Sequence, residues 1–238
     1  MSTGDHSSKV YDQELEAIRS RVLQMGGLVE SQLKLAIDAF ESGDLTEAER
    51  VVNTDRRVND LEIELDRAVN NVIARRQPAA VDLRMIMGVA RAIPELERIG
   101  DEATKIARAV KWVNEKQVSS VRLPRIPDIR LSAELAAGLL RRSLDAFARM
   151  DVSAAASIIR DDQSVDDRFR AILRQLITFM MEDPRTIGAS IDMVWVAKAI
   201  ERIGDHSKNI AEHVIFIAAG TDVRHASPEE VARLVAQA

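Results

Sequence analysis

Cysteine is absent from the 238-residue chain, which excludes disulfides, thiolate-held metals, iron–sulfur clusters and cysteine nucleophiles. Aromatic residues make up only 3%, and glycine and proline number 10 and 6, so the turn-rich composition of an all-β fold is missing. No apolar run approaches the roughly 18 to 20 residues of a membrane span; Val214–Ala219 is a short one. The N-terminal stretch MSTGDHSSKVYDQELE is polar, so neither a secretion signal nor an anchor is expected. Positive charge is outnumbered as well: a net charge of −5 removes any global electrostatic case for nucleic acid. What remains is 46% hydrophobic and 30% charged, rich in the helix formers Ala, Leu, Arg and Glu. A cytoplasmic, helical chain with enough length to bury a core is the starting expectation.

Breaks are sparse and regularly placed. A first helix is expected from about Lys9 to Glu41, stopping at Ser42-Gly43-Asp44. Thr46 and Glu49 have capping-box spacing and predict the start of a second, which ends at Gln77-Pro78 near Arg76. A third spans about Val81 to Asn114 with Pro94 inside it, where a bend is expected. Residues 117–129, with Pro124 and Pro127, read as a linker. Beyond it, Asp128 caps a fourth helix reaching Met150, Asp151 a fifth ending near Glu182, and Asp183-Pro184 a sixth ending at Gly220. Ser227-Pro228-Glu229-Glu230 opens a short last helix. The expected architecture is all-α: two tandem three-helix bundles over 9–116 and 130–220, then a tail over 221–238.

The halves repeat. Glu97-Arg98-Ile99-Gly100-Asp101 recurs letter for letter as Glu201-Arg202-Ile203-Gly204-Asp205, each copy inside the third helix of its half. In the second helices, Val51-Val52 with Asp55 and Val58 aligns with Ile158-Ile159, Asp162 and Val165. Duplication explains both, and the two bundles are expected to be pseudo-symmetric.

Residues four apart share a helix face, so Glu97 and Asp101 point the same way, as do Glu201 and Asp205. Like charges at that spacing repel, and a glycine in a helix interior costs about 1 kcal/mol relative to alanine. A cation between the acids would account for the choice, and the glycine would let a neighbour approach. Asp162 fills a step of the apolar seam Ile158, Val165, Phe169, Ile172, with Asp166 one turn on; Asp55 takes the equivalent place in the second helix, with Asn59 one turn on. An ionised group near a core needs compensation for its lost water. Side by side, the second and third helices would bring four oxygen-bearing side chains together in each half, at the rim of the bundle. A single copy would read more simply as a solvated face with local Glu–Arg pairing.

Other candidates are weaker. None of His6, His206, His213 and His225 follows a glutamate by three positions, so the Glu-x-x-His pattern of di-iron oxidases is missing. His206 and His213 are expected at the surface, His206 beside Asp205. There is no phosphate-cradling glycine loop or G-x-S-x-G elbow. Arg75, Arg76, Arg122, Arg125 and Arg130 read as solvated, and Trp112 and Trp195 as packing residues.

Four segments, ARRQPAAVDLR (74–84), ELERIGDEATKIAR (95–108), MMEDPRTI (180–187) and AIERIGDHSKNIAEHVIF (199–216), closely resemble the PhoU family of bacterial phosphate-uptake accessory proteins. The likeness runs from about residue 9 to 225. It implies two three-helix bundles and metal held by E/D-x-x-x-D pairs: Glu97 with Asp101, Glu201 with Asp205, Asp162 with Asp166. The fourth pair departs, because Asn59 replaces the acid that would follow Asp55, and weaker or different occupancy is expected there. All-oxygen ligands suit a divalent or trivalent ion such as Mg, Mn, Fe, Ca or Zn. The resemblance further implies a non-enzymatic negative regulator, a homodimer that couples the ATPase of a phosphate ABC transporter to a phosphate-responsive sensor histidine kinase. A metal-dependent bundle enzyme and a metal-storage or scaffold protein are the alternatives.

Overall fold

Capping chemistry sets most of the helix ends. The computed structural model describes residues 3–117 and 127–236. Helix α1 covers Thr3–Ser42 and closes on Gly43, whose φ of 73° is the left-handed conformation glycine adopts without strain. Helix α2 (Leu45–Arg76) begins one residue before the expected box. Asp44, not Thr46, is its cap: Oδ1 accepts from the Thr46 and Glu47 amides at 2.8 and 3.1 Å. Helix α3 (Ala80–Gln117) runs on through Pro94.

Helix α4 starts at Pro127 and ends at Arg149, so the expected linker falls mainly on residues outside those described, as do Arg122 and Arg125. The expected single helix over 151–182 is two, α5 (Val152–Asp161) and α6 (Gln163–Glu182). Asp162 between them keeps helical dihedrals, but its carbonyl accepts from Val165 N at 2.9 Å and from Asp166 N at only 3.4 Å. The turn has tightened from a four-residue to a three-residue step. It tightens at the residue whose side chain lies against Gly204 of α7. Asp183 then caps a short 3₁₀ turn, Pro184–Thr186, that leads into α7 (Ile187–Ala219), which ends on left-handed Gly220 as expected. Ser227 and Glu230 form the capping box of α8 (Pro228–Val235).

Helices α1 to α3 make one bundle and α4 to α7 the other, with α8 against α5. Among the described residues no strand occurs, and no helix is long and apolar enough to cross a membrane. One continuous core of Val, Leu, Ile and Ala fills both bundles, from Val22 and Met25 to Leu140, Phe147 and Ile210. The two third helices, α3 and α7, pack on each other most extensively. They run antiparallel. A Cβ at Gly88 would strike Ile217, Glu95 bonds to His206 and Asn209, and Glu102 bonds to Arg202. The identical motifs therefore meet back to back at the centre of the molecule.

Candidate functional site

In the N-terminal half, Asp55 on α2 faces Gly100 on α3. Its Oδ1 accepts from Thr104 Oγ1 at 3.1 Å and from Gln32 Nε2 of α1 at 3.3 Å. The glycine makes the approach possible: a Cβ at Gly100 would lie 3.2 Å from Gln32 Oε1 and 3.4 Å from Val58. Glu97 and Asp101 flank this contact, half-buried. Burial raises the pKa of Glu97, and repulsion from Asp101, Glu62 and Asp55 adds to it, against some relief from Arg98. Burial and Asp55 raise Asp101 in the same way, with Lys105 and Arg108 partly offsetting. Glu62, one turn beyond Asn59, is raised by burial and by its neighbours Asp66 and Asp101. Two acceptors here are out of water and without a donor, Gln32 Oε1 and Asn59 Oδ1.

The C-terminal half repeats the close approach of acid and glycine and changes the chemistry around it. Asp162 is 3% exposed, and a Cβ at Gly204 would come within 2.9 Å of its Oδ1. Lys208 Nζ donates to its Oδ2 at 3.3 Å, while Oδ1 has no partner. Burial pushes the Asp162 carboxyl up to about 6; Lys208 pulls it down, and Asp205 and Asp166 push it further up. Glu201 is gripped at both oxygens by Lys198 Nζ, at 2.6 and 2.5 Å.

Asp55, Glu97 and Asp101 interact electrostatically in the N-terminal half, and Asp162, Asp166 and Asp205 do so in the C-terminal half, whereas Glu201 is paired with Lys198. The acids are not gathered into a closed shell. Among the described residues no three His, Asp or Glu side chains stand close enough to hold a metal ion. Their donor set, carboxylate and amide oxygens with orphaned acceptors among them, fits a hard cation, and closure would take side-chain rotation and water.

Between the halves lies a groove of about 480 Å³ that both motifs share, with Arg98, Asp101, Arg202 and Asp205 in its walls beside His206 and Asn209. Beneath it Glu95 is buried. Burial alone would raise its pKa, but the His206 Nδ1 contact at 2.7 Å and the Asn209 amide at 3.0 Å outweigh that and lower it. His206 is therefore a tie between α7 and α3 and not a free surface group. His213 was expected at the surface and is 5% exposed, its pKa pushed down to about 4 by burial. Next to it Glu212, 6% exposed, is pushed up by burial to about 7. The tryptophans reverse the expectation the other way: Trp112 and Trp195 are 45% and 64% exposed.

Sequence reasoning missed Gln32, Glu62, Glu95, Thr104, Lys198 and Lys208. Glu95 had a signal, an acid on the apolar stripe Ala92, Ile99, Ile106. Lys198 had one too, standing three residues before Glu201 on the same helix, whereas Lys208 had none, because its pairing with Asp162 depends on the register of neighbouring helices.

A family model described as the PhoU domain matches residues 22–110 and 129–214, one copy in each bundle. The phosphate-specific transport system accessory protein PhoU of Escherichia coli K12 is 41% identical over 236 residues, covering 99% of this chain and 96% of that one. A PhoU homolog from a Burkholderia species is 42% identical over 231 residues, 96% and 97% of the two chains. The crystal structure of PhoU from Pseudomonas aeruginosa superposes with a TM-score of 0.84 at 40% identity, over 89% of this chain and all of that one.

Proposed function

The chain belongs to the PhoU family, and from that premise we propose that it is a regulatory accessory protein of a phosphate-specific transport system and not an enzyme. In this reading it docks, as a cytoplasmic homodimer, on the ATPase of a phosphate ABC transporter and on a phosphate-responsive sensor histidine kinase. There it restrains uptake and starvation signalling while phosphate is plentiful. Likeness over nearly the whole chain supports the transport role, and long helical faces suit protein docking.

The same reading places a metal ion on the acidic motif faces. One observation carries it: half-buried carboxylates repel one another across a glycine-made contact whose buried oxygen acceptors lack donors. Bound there, a hard cation would supply charge neutralisation. Asp55, Asn59, Glu97 and Asp101 would hold it in one half, and Asp162, Asp166, Glu201 and Asp205 in the other.

Affinity capture from lysate, with this chain as bait under high phosphate, tests the docking. Recovery of the transporter ATPase or the kinase is expected, and recovery of neither overturns it. For the metal, Asp205→Ala is expected to lower bound metal in elemental analysis while circular dichroism stays unchanged; loss of helicity would make that carboxylate structural instead.

A further inference from the structure

We propose that the end of the α3–α7 groove marked by Trp112 and Trp195 is a docking site for an acidic polypeptide segment that sets an aliphatic side chain against the indoles. The proposal rests on the docking part of the reading above and gives it a surface and an occupant.

Seven residues are two helical turns, so Trp112 continues the face of Arg98 and Lys105 on α3, and Trp195 that of Arg202 and Asn209 on α7. Arg202 donates to Glu102 at 3.2 Å and fixes the register. From that layer Trp112 lies about 15 Å on along α3 and Trp195 about 10 Å back along α7, which in antiparallel helices is the same direction. Both indoles therefore stand at one end of the groove. Ile191, a turn before Trp195 on the same face, is exposed as well.

The opposite end shows how such a site is filled. The spacing that carries Arg98 to Arg202 carries Trp112 to Phe216 and Arg91 to Trp195. Arg91 lies over the Phe216 ring at 4.8 Å and faces Asp222 Oδ2 at 3.8 Å. Val223, next in the chain, is 1% exposed. The tail after α7 thus brings a carboxylate and a buried aliphatic side chain to that end. At the other end Trp112 takes the place of the covered ring and Trp195 that of the arginine, and both face water.

Charge selects the occupant. The stretch of α3 from Glu102 to Trp112 and that of α7 from Asp192 to Arg202 together hold five cations and three acids, a local charge of +2 in a chain of −5. Arg108, one turn before Trp112, is exposed and makes no ion pair or hydrogen bond among the described residues. An extended anionic surface, such as a membrane or nucleic acid, meets the repulsion of the whole chain. A segment small enough to enter the groove feels mainly the charges within a Debye length of about 8 Å, and there the cations outnumber the acids. The two indoles and the isoleucine add an apolar patch on the order of a few hundred Å², the scale that marks an interaction site.

A phage-displayed library of random dodecapeptides, sorted on the full-length protein, tests this. Sequences that place an acid beside an aliphatic residue are expected to be enriched, and a selected peptide lacking Trp is expected to shift the indole emission to the blue. Its affinity should fall about tenfold or more in Trp112→Ala, and by a similar factor in Arg108→Glu, which keeps both indoles; circular dichroism checks the fold of each. Enrichment of basic or neutral sequences, no enrichment, or undiminished binding by both variants overturns the proposal. So does a blue shift produced by phosphatidylglycerol vesicles in place of the peptide, or by raising the protein concentration alone, which would assign the face to lipid or to a second copy. Capture of the ATPase or the kinase undiminished by both variants also overturns it and leaves the docking reading standing. Capture of neither overturns the docking reading, and the peptide still decides the surface.

Discussion

In the N-terminal half Asp55 leans on an amide and a hydroxyl, whereas in the C-terminal half Asp162 leans on an ammonium. The backbones share three features, a left-handed turn residue, an aspartate cap and a glycine opposite the buried acid, although the helix is continuous through Asp55 and broken at Asp162. Gly43 and Met150 take the turn at φ 73° and 51°, and Asp44 and Asp151 follow as caps. The comparison teaches that duplication preserved the close approach of the helices, while each half settled its buried charge independently. The halves also differ further along their third helices. Glu212 and His213 lie inside where their counterparts in α3 are exposed Arg108 and buried Ala109.

The largest expected effects come from that buried pair. Glu212 ionises in the fold near 7 and, unfolded, near 4.5, so folding is weakened progressively as pH rises through that window. Glu212→Gln is expected to stabilise the protein by about 2 kcal/mol at pH 8, read by urea denaturation, and by almost nothing at pH 4. His213 has the opposite sign. Its folded pKa of about 4 lies below the ordinary 6.5, so its stabilisation is present above 6.5 and is lost as pH falls to 4. The two nearly cancel between 4.5 and 6.5. Glu212→Gln should therefore unmask a stability that rises with pH there, and His213→Ala one that falls; parallel profiles for both variants would refute the pairing.

Next in size is Lys208→Thr, which leaves Asp162 without its ammonium and is expected to cost about 2 kcal/mol at pH 8. The loss should shrink at pH 5, where Asp162 takes up a proton instead. Thr104→Val in the other half leaves Asp55 its Gln32 bond and should cost about 1 kcal/mol by the same measurement.

The turn residues give a smaller contrast. Gly43→Ala forces a side chain into the left-handed region and should cost about 1 kcal/mol. Met150→Gly should change the melting temperature little, because the strain it relieves is offset by lost packing of Met150 on the core.

Smallest of all is the glycine pair. Gly100→Ala meets Gln32 and Val58 at tight but tolerable distances, and the helix-propensity gain of about 1 kcal/mol should leave it near neutral. Gly204→Ala meets the short Asp162 side chain at 2.9 Å, so it should come out about 1 kcal/mol worse than its twin in thermal unfolding.

Much of this was legible in the sequence because its markers are local. Asp151, Asp183, Ser227 and Gly220 announce helix ends through chemistry within a few residues of themselves. Where two local markers competed, as at Asp44 and Thr46, only geometry could choose, and the aspartate nearer the turn won. The duplicated motif and the core-side position of Asp162 were also legible, since periodicity places a residue on its own helix. What lay on other helices was not. His213 was misplaced because α7 packs on α3, α4, α5 and α6, so the run Ile210–Ile215 is buried on every face and helical phase carries no information there. The tightened turn at Asp162 was hidden as well: it coincides with a close approach to Gly204 on α7, which no seam pattern contains.

The chain's two tryptophans both face water, Trp112 in one half and Trp195 in the other. Unfolding will alter their surroundings less than it would for a buried indole, and least for Trp195, so intrinsic fluorescence is expected to report unfolding weakly. The same property makes each indole a ready-made optical reporter for its own half. A macromolecule covering α7 near Trp195 will shift that emission to the blue, and single Trp→Phe replacements will show which of the two lamps has dimmed.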